Sequence, residues 1–426
     1  MTDVVATNET ILVVGGGISG MTAALEAAEA GKQVILVEKR PYVGGRITQL
    51  YKYFPKLCFP TCGLEINQRR AKANPNVTIL TMAEVSGLSG SEGDYTATVN
   101  ISPRYVNENC TACGACEDAV EAEFDDEYNY GLSKHKGAFR PYRMAYPERF
   151  VLDPRMIGTP DADKAKEACK YDAIDLDMQE ETIDLKVGAV IYATGWRPYD
   201  AAKIQPYGYD RYPNVISSVE FERMKDPMGP TGGKILRPGD GKEAKDIAFI
   251  QCAGSRDRNY LKHCSRICCM ASLKQTTYVS EMEDGKSTVY YIDIRAIDRF
   301  EDFYRKVQAD EKVSFIKSKP ANITQDKDGN PVINGVDTEG YHRYANPHDL
   351  VVLAVGMEPS IKGAMPEGIE ITINEHGFIE NDGSNGGIFA AGCASDALDV
   401  NRAVQSATAT ALKAIQVVNR VAGSEG

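Results

Sequence analysis

The chain of 426 residues is 43% hydrophobic and 25% charged, ordinary globular values that exclude a peptide, wholesale disorder and a multi-span membrane protein. At about 150 residues per domain it holds two to three domains. Lysine and arginine total 48 against 60 aspartates and glutamates, a net charge of -12 without a dense basic run, which excludes nucleic-acid binding through phosphate charge.

The start, MTDVVATNET, lacks the charged head and apolar core of an export signal, and no stretch approaches the ~20 apolar residues of a spanning helix, so a cytoplasmic location is expected. Eleven cysteines in that compartment point to metal or redox chemistry rather than disulfides. TILVV at 10–14, then GGGISG, the helical MTAALEAAEAG and QVILVEK give strand, glycine turn, helix and strand. Gly15 makes the tight turn, Gly17 admits a pyrophosphate to the backbone, and Gly20 lets helix and strand pack closely. Ser19 lies in the same turn. Glu38, with Lys39 beside it, closes the second strand where a carboxylate accepts from ribose hydroxyls. Gly44, Gly45 and Arg46 follow as a glycine doublet, the position of a second diphosphate contact that favours FAD over NAD.

Cys58 and Cys62 come next, in LCFPTCG, near where disulfide reductases carry a flavin-facing dithiol. Thiol-disulfide exchange, lining of the flavin pocket and a buried structural role all stay open. The β-rich stretch up to 102 then gives way to NENCTACGACEDAV. Cys110, Cys113 and Cys116 are spaced by two small residues each, so one loop wraps a cluster and aims amides at its sulfurs. Val120 stands where a ferredoxin run has its fourth cysteine, and Cys169, in CKYDAI, is placed like the closing ligand. A single [4Fe-4S] cluster on Cys110, Cys113, Cys116 and Cys169 is expected, with zinc as the alternative. The Tyr-, Arg- and acid-rich segment between them reads as partner-facing surface.

VGAVIYATGW predicts a buried strand running into a turn at Ala193, Thr194 and Gly195. From Asp246, IAFIQ and later STVYYIDIR repeat a nucleotide-binding pattern, but only Gly254 remains of the phosphate loop, so nicotinamide binding there is not expected. In its place stand Cys252, Cys264, Cys268 and Cys269. A helix around 264–270 would put Cys264 and Cys268 on one face. Four sulfurs favour a second [4Fe-4S] cluster, with zinc open because His263 is adjacent, and with one of the vicinal thiols beside the metal rather than on it also open. Finally GGIFAAGC supplies Gly392 before a helix from near Asn401, an arrangement that resembles the junction by which two-domain flavin reductases aim a helix N-terminus at the flavin pyrimidine. Cys393 reads as packing.

The combination of GGGISG, IQCAGSRDRNYLKHCSRICCM and a ferredoxin-like insert before IYATG resembles the heterodisulfide reductase A-subunit family across nearly the whole chain. The expected fold is α/β, a flavoprotein with two dinucleotide-binding domains. FAD-domain segments fall at 1–102, 181–240 and 357–426, a ferredoxin-like insert at 103–180, and a degenerate NAD-like domain at 241–356. The resemblance implies an FAD and iron-sulfur electron-transfer subunit with no catalytic side chain. The short length, without a C-terminal ferredoxin run, is most like the A-subunits of quinone-interacting membrane-bound oxidoreductase complexes of sulfate reducers. That implies three partners: a second flavin and iron-sulfur subunit, a haem-bearing membrane subunit, and adenylylsulfate reductase. It also implies a seat on the cytoplasmic face of the inner membrane. Two alternatives are a self-sufficient NAD(P)H-dependent disulfide reductase using Cys58 and Cys62, and a non-catalytic scaffold.

Overall fold

The computed structural model describes residues 4–424. Two five-stranded parallel sheets carry the chain. The first runs in the order Ile388–Ala390, Ala189–Tyr192, Ile11–Val14, Val34–Glu38 and Val77–Thr81. The second runs Val215–Ser217, Leu350–Val355, Asp246–Ala253, Lys286–Tyr291 and Val313–Lys317. ILVV at the centre of the first sheet and LVVLAV in the interior of the second are apolar without alternation because both faces are covered, as parallel strands require.

On one face of the first sheet lie the helices Ile18–Glu29 and Val400–Ser424, whose alanines, among them Ala23, Ala27, Ala407 and Ala411, let the backbones approach closely. The other face is covered by an antiparallel meander, Ala83–Ser91, Asp94–Ile101 and Glu181–Val187, through Val85, Leu88 and Val99. The chain leaves this meander at Ile101 and returns at Glu181, and these two residues are cross-strand partners. Residues 102–180 therefore loop out and come back without disturbing the pairing beneath them. A second meander, Asn322–Gln325, Pro331–Asp337 and His342–Pro347, packs Ile323 and Ile333 against the second sheet. The two sheet units are joined by a two-stranded link, Trp196–Pro198 against Met357–Pro359.

The FAD-domain segment expected at 181–240 is corrected: Val215–Ser217 pairs in the second sheet and Phe221 and Met224 pack into its core, so the second unit takes over by 215. Two further expectations are corrected. The segment between the cysteine triplet and Cys169 is not simply a partner-facing surface. It builds a small core around Val106, Val120, Phe150, Leu152 and Met156. Its Tyr128 is buried, stacked on Tyr142 at 5.4 Å, and donates its hydroxyl to the Thr48 carbonyl at 2.6 Å. Aromatic rings with a satisfied hydroxyl gain more by docking against the first unit than by staying wet. Second, the helix expected around 264–270 begins at Cys268, so Cys264 lies in the preceding loop. Arg266 takes φ +60°, which ends any right-handed run before it. Among the described residues no helix is long and apolar enough to cross a membrane.

Candidate functional site

A cavity of about 500 Å³ opens between the two sheet units. At one end Gly15 turns the first strand into the helix at φ +105°, where a side chain would meet the Ala193 carbonyl oxygen at 2.5 Å. Gly20 sits one turn on, its α-carbon so close to Gly15 that an added Cβ would lie 1.8 Å from the Gly15 oxygen. The glycine doublet closes onto this turn: Gly44 N–H donates to the Gly16 carbonyl at 2.7 Å, and Gly17 bridges to Gly44. The result is a cradle of bare backbone, shaped for a diphosphate.

Glu38, 8% exposed, accepts from Gly16 N–H at 2.6 Å and Arg40 N–H at 2.8 Å. Burial pushes its carboxyl above the ordinary value, opposed by those backbone donors. Arg46 reaches into the cavity from the doublet, donates to the Trp196 carbonyl, and holds the Tyr130 hydroxyl of the insert at 3.1 Å. At the far end Asp399 caps the long helix by accepting from Arg402 N–H at 3.0 Å, and Asp399, Val400 and Ala403 face the cavity. Thr194 also lines it, with its hydroxyl unpartnered.

Of the expected cofactor residues, Gly15, Gly17, Ser19, Glu38, Lys39, Gly45, Arg46, Ala193, Thr194 and Gly195 border the cavity. Gly20, Gly44 and Gly392 stand behind its wall. At Gly392 the backbone needs room beside Ser19, whose hydroxyl an added Cβ would meet at 2.0 Å. Asn401 is a correction: it is exposed and outside the lining. The helix starts at Val400, which turns Asn401 to solvent and brings Ala403 inward. Cys393 is buried with Met357 and Phe378 and also borders the cavity.

The opposite wall is formed by the second unit. From the helix Cys268–Ser280 come Cys268, Ala271, Ser272, Lys274 and Gln275, facing Glu222 of the helix Ser218–Lys225. Lys274 Nζ lies 2.7 Å from Glu222 Oε1, with side chains 3% and 2% exposed. The sequence reading missed this pair. Its signal was available, since Lys274 is the one charge in CCMASLKQTTYVS.

Cys252, Cys264, Cys268 and Cys269 come together where the strand Asp246–Ala253 ends. Cys252 itself is left-handed, at φ +55°, as are Arg256 and Arg266. Strained non-glycine residues gather where a site imposes its geometry. Arg266 N–H donates to Cys264 Sγ at 3.4 Å, and the Arg256 guanidinium lies 4.0 Å from Cys252 Sγ. Burial pushes the Cys269 thiol up to about 11. A thiolate there needs positive charge, which a metal centre supplies.

In the insert, Cys110, Cys113, Cys116 and Cys169 all border one small cavity of about 20 Å³. Ala112 N–H and Ala173 N–H donate to the sulfurs of Cys110 and Cys169, each at 3.4 Å. Burial raises the Cys116 thiol to about 12, and Ala112 is again left-handed, at φ +55°. Among the described residues no three His, Cys, Asp or Glu side chains gather closely enough for a single ion.

Cys58 and Cys62 are both exposed and outside the cavity lining, so neither pocket lining nor structural burial describes them. They stand at the solvent-facing start of the helix Pro60–Ala73, beside exposed Phe59.

Residues 10–70 match the family model for FAD dependent oxidoreductases. The chain is 35% identical to the A-subunit of the ferredoxin:CoB-CoM heterodisulfide reductase of Methanosarcina mazei, over 96% of this chain and 53% of that protein. It is 37% identical to an iron-sulfur A-subunit of the CoB--CoM heterodisulfide reductase of Methanopyrus kandleri, over 95% of this chain and 63% of that one. It thus spans between half and two thirds of these relatives' length. Among solved structures, thioredoxin reductase of Lactococcus lactis superposes with a TM-score of 0.53 at 14% identity, covering 97% of this chain and 99% of that one. That likeness shows the fold of a two-domain flavoprotein.

Proposed function

From its resemblance to heterodisulfide reductase A-subunits along nearly its whole length, we propose that this chain is an FAD- and iron-sulfur-containing electron-transfer subunit of an oxidoreductase complex. The observation that carries the reading is the shared wall: Cys268 of the second thiol set borders the same cavity as the glycine cradle, so a ring bound there lies against the sulfur cage. When bound, FAD exchanges electrons in pairs and iron-sulfur clusters exchange them singly.

The chain's residues hold and insulate these groups. Gly15, Gly17, Gly45 and Arg46 cradle the diphosphate, Glu38 takes the ribose, and the helix N-terminus at Asp399 and Val400 faces the ring. One [4Fe-4S] cluster belongs to Cys252, Cys264, Cys268 and Cys269, and a second to Cys110, Cys113, Cys116 and Cys169 in an insert spanning 103–180. Backbone amides at Ala112, Ala173 and Arg266 stabilise the anionic sulfurs. Met357 and Cys393 add apolar wall to the cavity beside the ring. No side chain is assigned as catalytic.

The finer reading places the chain in a complex of the quinone-interacting membrane-bound type. Its partners there are a second flavin and iron-sulfur subunit, together with a haem-bearing membrane subunit. From the cytoplasmic side of the membrane it exchanges electrons with adenylylsulfate reductase. A self-sufficient disulfide reductase has less support, because Cys58 and Cys62 stand outside the cavity. The test is an anaerobic reductive titration. FAD with two clusters takes up about four electrons per chain, and uptake of only about two would contradict the reading.

A further inference from the structure

The helix Cys268–Ser280 turns one face to the cavity, carrying Cys268, Ala271, Ser272 and Gln275 at helical spacing. Two of these side chains carry unanswered polar atoms. Ser272 is fully buried and its hydroxyl has no partner. Gln275 is 1% exposed; its amide nitrogen donates to the Ser218 carbonyl at 2.9 Å and to Glu222 Oε1 at 2.6 Å. Those two bonds fix the amide plane and leave Oε1 without a donor, again at the cavity wall. Buried polar atoms without partners are rare and costly, so a pair of them on one face of one cavity marks the place of a ligand's own polar groups.

Building on the flavin reading above, we propose that Ser272 and Gln275 are contacts of the isoalloxazine ring. The ring suits both: its polar edge offers acceptors for a hydroxyl proton and an N–H for an amide oxygen. Apolar neighbours at Leu50, Phe54, Val219 and Ile267 suit the ring's hydrocarbon faces. Because Ser272 and Gln275 lie one and two turns beyond Cys268, a single rigid helix ties the ring to the second thiol set. Displacing one then moves the other, which makes this helix the physical coupling between the two cofactor sites.

The experiment is FAD titration into the anaerobically purified, flavin-stripped full chain, comparing wild type with Ser272→Ala and Gln275→Met. Ser280→Ala serves as comparator, because that hydroxyl also lacks a partner but does not border the cavity. The expected result is a Kd for FAD raised about five- to tenfold in each of the first two variants, shifted flavin absorption bands, and Ser280→Ala like wild type. Iron content equal to wild type shows that the helix and thiol set are intact. If Gln275→Met loses iron, Ser272→Ala decides the matter. Affinities within about twofold of wild type at unchanged iron content would overturn the proposal and assign the orphan atoms to buried water. Failure of the wild type to take up FAD would instead overturn the flavin reading itself.

Discussion

Replacing Lys274 tests the buried wall of the cavity most sharply. Its ammonium is 2.7 Å from Glu222 Oε1 and also donates to the Lys52 carbonyl at 2.5 Å. Glu222 further accepts from Tyr51 N–H, the Tyr278 hydroxyl and the Gln275 amide. Lys274→Met leaves that carboxylate buried and uncompensated, a change that costs about 3–5 kcal/mol. At an m-value of about 2 kcal/mol/M this lowers the urea midpoint by about 2 M. Trp196 is the one tryptophan of the chain and lies in the link strand at the cavity edge, so its emission reports the loss.

The double variant Lys274→Met with Glu222→Gln behaves differently. It removes both charges, and its stability returns to within about 1 kcal/mol of wild type or passes it. Burial lowers the Lys274 ammonium below the ordinary lysine value of 10.5, against the pull of Glu222. The unfolded chain therefore binds this proton more tightly. The cost of the charged form is in place below the lowered value and is relieved as pH climbs from there toward 10.5, so wild type gains on the double variant over that window. A single variant losing under about 1 kcal/mol, or a double variant losing the sum of its singles, would refute the buried-pair argument.

Gly20→Ala puts a methyl group where the Gly15 carbonyl oxygen already lies, so the turn must move and FAD affinity should fall about 100-fold by equilibrium titration. Asp161 ties the insert together by accepting from Glu121 N–H and Ala122 N–H, and with Lys164 beside it its carboxyl is held at about 2 against an ordinary 3.8. Its stabilising effect is whole above 3.8 and fades as pH falls through about 2, so protease resistance of the insert in wild type and Asp161→Asn should converge in that acid range. Cys58→Ser with Cys62→Ser takes up the same roughly four electrons as wild type, since neither thiol borders the cavity; a wild type taking up about six, with the variant at about four, would return the dithiol to the mechanism.

The parts legible in the sequence were those fixed by local chemistry. GGGISG between a strand and a helix dictated the cradle, because only glycine tolerates φ +105° at Gly15 and the approach at Gly20. The parallel sheets were legible as unbroken apolar runs, and the cysteine spacing marked which thiols the fold brings near one another. What escaped depends on long-range packing. Glu222 and Lys274 are far apart in the chain and meet only when two helices of the second unit pack. Tyr128 looked like surface because its partners, Thr48, Gln49 and Arg223, lie in other segments. Asn401 was misplaced by one residue of helix start, enough to turn its side chain from cavity to solvent.

The central claim is that two separate sulfur cages accompany the flavin, one of them against its cavity. Iron and acid-labile sulfide analysis with EPR of the anaerobically reduced full chain tests it directly. The expected result is about eight iron atoms per chain and two cubane signals, with Cys113→Ser abolishing one and Cys264→Ser the other. Zinc in place of iron, or a single signal that both substitutions remove, would contradict the account.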